Sequence, residues 1–125
     1  MIGMVVITRD EMFPLMLEAC PSFGPVWKDF LDDWNDDPVD LPLYLALDEL
    51  AVHLSKNMSQ MDSKTIGKIF DVIERWQLEG DEYVRTACTV GLFERIKGTK
   101  GPKNSFYKEF RNRLKPASRE AWNSA

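Results

Sequence analysis

Apolar residues in this chain recur three and four positions apart, and that spacing commits it to α-helices. Runs that alternate in polarity between turn residues, the mark of strands, are almost absent. Thr8 followed three residues later by Glu11 reads as a capping box that opens a first helix running to about 20. Pro14 falls inside it and is expected to kink it or move its start later; Cys20-Pro21 ends it. Pro25 suits the first turn of a second helix, 25 to about 35. Asp40 is placed to cap a third, 41 to about 58, whose leucine-rich opening makes it the central helix. Ser63 starts a fourth with Ile66, Ile69, Phe70, Ile73 and Trp76 on one side, and Gly80 is its expected C′ stop.

Asp81 caps a fifth helix, 82 to about 97, closed by Gly98. Its stripe of Val84, Ala87, Cys88, Gly91 and Leu92 is small enough to predict close approach to a neighbouring helix. Residues 98–104 read as a loop, followed by helices over 105–115 and 116–123 that dock through Phe106, Phe110, Leu114 and Trp122. A chain of 125 residues with 44% apolar and 29% charged residues fits one globular domain. The expectation is an all-α fold, a single compact domain of about six to seven helices over 8–125, built as an irregular bundle or stacked helical hairpins. Residues 1–7 form an N-terminal extension, too short and lacking the basic start of a signal peptide. No apolar run approaches the roughly 18–20 residues of a membrane helix, so no membrane partner and a cytoplasmic location are expected. Cys20 and Cys88 suit buried thiols in a reducing compartment, with one bridge left open.

Net charge is −4, but it is unevenly spread. Residues 1–50 hold eleven acids against two bases, residues 51–90 six against five, and residues 91–125 three against nine, giving −9, −1 and +6. The second helix concentrates the first of these. Val26, Trp27, Phe30, Leu31 and Trp34 form its apolar stripe, while Asp29, Asp32, Asp33 and Asp36 form the other face, with Asp37 and Asp40 just beyond. Aspartates near a helix C-terminus oppose the macrodipole, and like charges three and four apart repel. The ordinary reading of such a run is a solvated face; the functional reading is docking on a basic protein. The basic segment, with Lys97, Lys100, Lys103, Lys108, Arg111, Arg113, Lys115 and Arg119, serves either to balance the acidic half or to contact phosphate. The net charge argues against direct nucleic-acid binding.

Catalytic patterns are weak. His53 is the single histidine, with Glu49 one turn earlier and Cys20 or Cys88 as nucleophiles on paper only. No Cys-x-x-Cys or His/Cys cluster suggests zinc, the aspartates lack the EF-hand order, and Gly67-Lys68 lacks a phosphate-loop context. No enzyme, metal or cofactor is expected.

The segments 43–51, 81–94 and 114–122, with the Glu79-Gly80-Asp81-Glu82-x-Val84-Arg85 turn and the Val90-Gly91-Leu92-Phe93-Glu94 helix, carry a resemblance over residues 10–123. They resemble a family of small all-helical bacterial proteins that occur beside toxin genes and include immunity proteins of polymorphic-toxin and contact-dependent growth inhibition systems. These are packing motifs, so no catalytic residue carries over. The resemblance implies an immunity protein that binds a cognate basic toxin domain, most plausibly a nuclease, through steric occlusion and charge matching. Asp29, Asp32, Asp33, Asp36, Asp37 and Asp40 are the expected contact residues. A helical adaptor or regulatory module with an unrelated protein partner is the alternative.

Overall fold

The computed structural model describes residues 6–34 and 42–125, and their regular structure is helical. The elements are α1 (Arg9–Ala19), α2 (Gly24–Asp33), α3 (Leu43–Asn57), α4 (Ser63–Glu79), α5 (Glu82–Ala87), α6 (Glu94–Thr99), α7 (Ser105–Arg113) and α8 (Pro116–Ser124). Short 3-10 turns at Pro21–Phe23 and Met58–Gln60 precede α2 and follow α3. Among the described residues the one extended pairing is a parallel bridge between Ile7 and Gly80. The Ile7 N–H donates to the Glu79 carbonyl at 2.8 Å, and the Asp81 N–H donates to the Ile7 carbonyl at 3.0 Å. Ile7 is fully buried and belongs to the core.

The helix starts follow their caps. The Glu11 carboxylate accepts from the Thr8 N–H at 3.0 Å and the Thr8 hydroxyl at 3.1 Å, opening α1 where the sequence places it. Pro14 neither delays that start nor ends the helix. Its ring and the carbonyl of Asp10, which loses its helical donor, both lie on an exposed face where water can satisfy the carbonyl. Asp62 caps α4 by accepting from the Thr65 N–H at 2.7 Å, and Asp81 caps α5 by accepting from the Val84 N–H at 2.9 Å. Asn104 opens α7, its side-chain oxygen accepting from the Phe106 and Tyr107 N–H groups at 2.9 and 3.2 Å. α3 begins after Pro42, whose carbonyl accepts from the Leu45 N–H at 2.9 Å; the expected cap, Asp40, lies outside the described residues.

Two glycines act by closeness rather than by backbone freedom. Gly80 has φ −70° and ψ 149°, so the left-handed C′ role expected of it is not used. A Cβ there would sit 2.3 Å from the Trp76 carbonyl oxygen and 2.6 Å from Val84 Cγ1. Gly91 lets its helix approach α3: an added Cβ would meet Leu47 Cδ1 at 2.8 Å and Leu47 Cβ at 3.2 Å.

α3 is the central helix, burying Leu43, Ala46, Leu47, Leu50, Ala51 and Leu54. The expected fifth helix is one continuous run that changes pitch, with a π-helical stretch at Cys88–Phe93 between α5 and α6, and it continues past Gly98 to Thr99. In this stretch Cys88, Gly91, Leu92 and Phe93 are all buried. Gly91 meets α3, while Phe93 packs edge-on against Phe110 and Trp122, with centroids 6.0 and 5.6 Å apart.

The C-terminal helix is held by a cap from another element. The Glu74 carboxylate of α4 accepts from the Ala117 N–H at 3.0 Å, the Ser118 N–H at 2.9 Å and the Ser118 hydroxyl at 2.6 Å. Lys115 pairs with Asp71 beside it. Partial burial pushes the Glu74 carboxyl up, but the Ser118 hydroxyl and the two amides outweigh it and hold it below the usual range.

Candidate partner-binding face

α2 buries one residue, Phe30, and its aromatic stripe runs from core to surface. Phe13 stacks on Trp27 at 4.5 Å, Trp27 on Phe30 at 5.6 Å, and Phe30 leans on Trp34 at 6.5 Å. Along that ladder exposure rises from 1% at Phe13 to 44% at Trp34, so Trp34 does not join the core as its spacing suggests. The first turn of α3 faces it, with Leu45 49% exposed.

Between them lies an open groove of about 450 Å³. Val26, Phe30, Trp34 and Leu45 supply its apolar surface, and Asp29, Asp33, Asp48 and Glu49 its charge. Asp29 and Asp33 are therefore brought together as expected. Asp32 is exposed but does not line the groove, and Asp36, Asp37 and Asp40 lie outside the described residues. Asp48 and Glu49 were missed as partners of the aspartate run because they belong to α3. Their signal is the Leu45, Asp48, Glu49 spacing, which puts them on one helix face. Asp48 pairs with Arg95, while Asp29, Asp33 and Glu49 have no ion-pair partner among the described residues. An apolar centre with an aromatic anchor inside a charged rim is the anatomy of protein contact surfaces.

The histidine is occupied differently from the sequence expectation. Its ring contacts Ser22 and Asn57, whereas Glu49 lines the groove. His53 Nε2 lies 2.8 Å from Ser22 Oγ and Nδ1 lies 3.3 Å from Asn57 Nδ2. Asn57 Nδ2 also donates to the His53 carbonyl at 2.8 Å, which fixes the amide's orientation. These contacts tie α3 to the turn before α2. Burial lowers the His53 pKa. Cys20 and Cys88 are both free and buried, and burial pushes the Cys88 thiol up to about 12, which removes thiolate character at neutral pH. Among the described residues no three His, Cys, Asp or Glu side chains converge to hold a metal ion.

Half of the basic segment is used internally. Lys97 donates to the Trp122 carbonyl at 2.6 Å, Lys115 pairs with Asp71, Arg113 with Glu109, and Arg119 donates to the Asn112 and Leu114 carbonyls, each at 3.1 Å. Lys100, Lys103, Lys108 and Arg111 have no such partner among the described residues. No described helix is long and apolar enough to cross a membrane. No curated protein matches the chain, and no solved structure does. A family model described as a domain of unknown function, DUF7674, matches residues 13–125, and the chain belongs to that family.

Proposed function

We propose that this chain is a cytoplasmic immunity protein that binds and neutralises a cognate basic toxin domain of nuclease type. Inhibition is stoichiometric: the chain occludes the toxin's phosphate-binding surface, and its carboxylates take the places phosphates would occupy. It involves no chemistry, cofactor or metal of its own.

The observation that carries this reading is the groove that Asp29, Asp33 and Glu49 line together with exposed Trp34 and Leu45. Carboxylates without internal partners steer a basic surface and fix its register, while an aromatic anchor supplies affinity. The resemblance to immunity proteins supports the same reading.

The test is co-expression with the basic toxin domain that this reading takes as its partner. Wild type protects the cells, and the pair co-purifies one to one. Replacing Asp29 and Asp33 by lysine loses both, while Asp32→Lys, outside the groove, keeps most of each. No complex at micromolar concentration, or a complex that gives no protection, would end this reading; the former would leave a helical adaptor with an unrelated protein partner.

A further inference from the structure

The acidic groove has a neighbour of opposite sign. A second cavity of about 180 Å³ opens farther along α3, with Lys56, Arg95 and Lys100 at its edge and Phe106 in its wall. Asp48 lines both cavities and pairs with Arg95, so an ion pair marks the seam between them. Lys56 and Lys100, like Asp29 and Asp33, have no ion-pair partner among the described residues. On α3 itself two exposed aliphatic residues flank the seam: Leu45 stands three positions before Asp48, and Val52, 44% exposed, three positions after Glu49. Seven positions separate them, about 10 Å along the helix.

A face with an acidic lobe and a basic lobe on either side of the Asp48–Arg95 ion pair is complementary to itself. A two-fold axis through the seam lays the acidic groove of one copy over the basic cavity of the other, twice, and brings Leu45 opposite Val52. We propose that this face is a homodimer interface, formed by a second copy of this chain about a two-fold axis near the Asp48–Arg95 pair. A wholly basic partner would satisfy one lobe and repel the other; a second copy satisfies both. The dimer covers the acidic groove, so self-association and capture of a basic partner compete for the same carboxylates.

The test needs only this protein, so its failure leaves the immunity reading standing. At about 100 µM, where a dimer of micromolar Kd is mostly formed, light scattering of the wild type should give twice the 14.4 kDa chain mass. Asp33→Lys alone and Lys56→Asp alone should each give the monomer mass, because each sets like charges against each other at two places. An equimolar mixture of the two variants, and the double variant on one chain, should regain the dimer mass, because opposite charges face each other again. That recovery also shows the variants fold. A wild type that stays monomeric overturns the proposal. So do single variants that remain dimers, or a mixture and double variant that stay monomeric.

Discussion

α2 and α8 are nearly equal in length, ten and nine residues, and each is amphipathic, yet they are held in different ways. α8 has its first turn capped by Glu74, its entry pinned by Lys115 and Asp71, its last carbonyls taken by Lys97, and Trp122 packed among Phe93, Tyr107 and Phe110. α2 is held by Phe30 and the aromatic ladder, and among the described residues none of its side chains makes an ion pair or a hydrogen bond. A helix whose polar groups are consumed internally has little left to offer a partner. One whose carboxylates have no partner among the described residues bears macrodipole and like-charge repulsion uncompensated within them.

The largest expected contrast is between two tryptophans. Trp122→Ala should cost about 3–5 kcal/mol, because a fully packed aromatic leaves a cavity that its neighbours fill poorly. Trp34→Ala should stay within about 0.5 kcal/mol, as exposed positions do. Chemical denaturation of both variants measures it, and comparable losses would break the distinction between the two helices.

Next comes the borrowed cap. Glu74→Ala removes three hydrogen bonds to a charged acceptor and strands the buried Ser118 hydroxyl, an expected loss of about 2–3 kcal/mol. The same group sets an acid limb. Its carboxyl is depressed in the folded chain, so its stabilisation is complete above the ordinary carboxylate range and fades as pH falls through the lower folded value. Stability of the wild type should therefore drop more between pH 5 and pH 3 than that of Glu74→Ala; parallel curves would show that the cap is not ionic.

The smallest effect sits at the entry to α2. His53 is a base whose folded pKa lies below the ordinary 6.5, so the unfolded chain binds its proton more readily. Stability should slip as pH falls through 6.5 toward that lower value and then level off, because below both values the penalty is constant. Melting curves should show the slope in wild type and lose it in His53→Gln; an unchanged slope would assign it to other groups.

Most of the helical order is legible in the sequence because caps and stops are local. Thr8-Glu11 and Asp81 work through groups within four residues, and so they could be read directly. The Glu74 cap could not, since its partners lie more than forty residues away. Nor could the π-helical stretch, which no local signal in the sequence marks. The candidate face was half legible. The aspartates stood out as a run, whereas Asp48 and Glu49 join them only once α3 lies beside α2. Trp34 follows the apolar spacing but lies at the end of its helix, beyond the reach of the core.

The most direct test of the central claim is a calorimetric titration of this chain with the basic toxin domain proposed as its partner, repeated with Asp29 and Asp33 both changed to lysine. The account predicts tight binding that weakens with added salt, and a loss of at least about tenfold in the variant, worth about 1.4 kcal/mol. Equal affinity for the two proteins, with the same salt dependence, would contradict it.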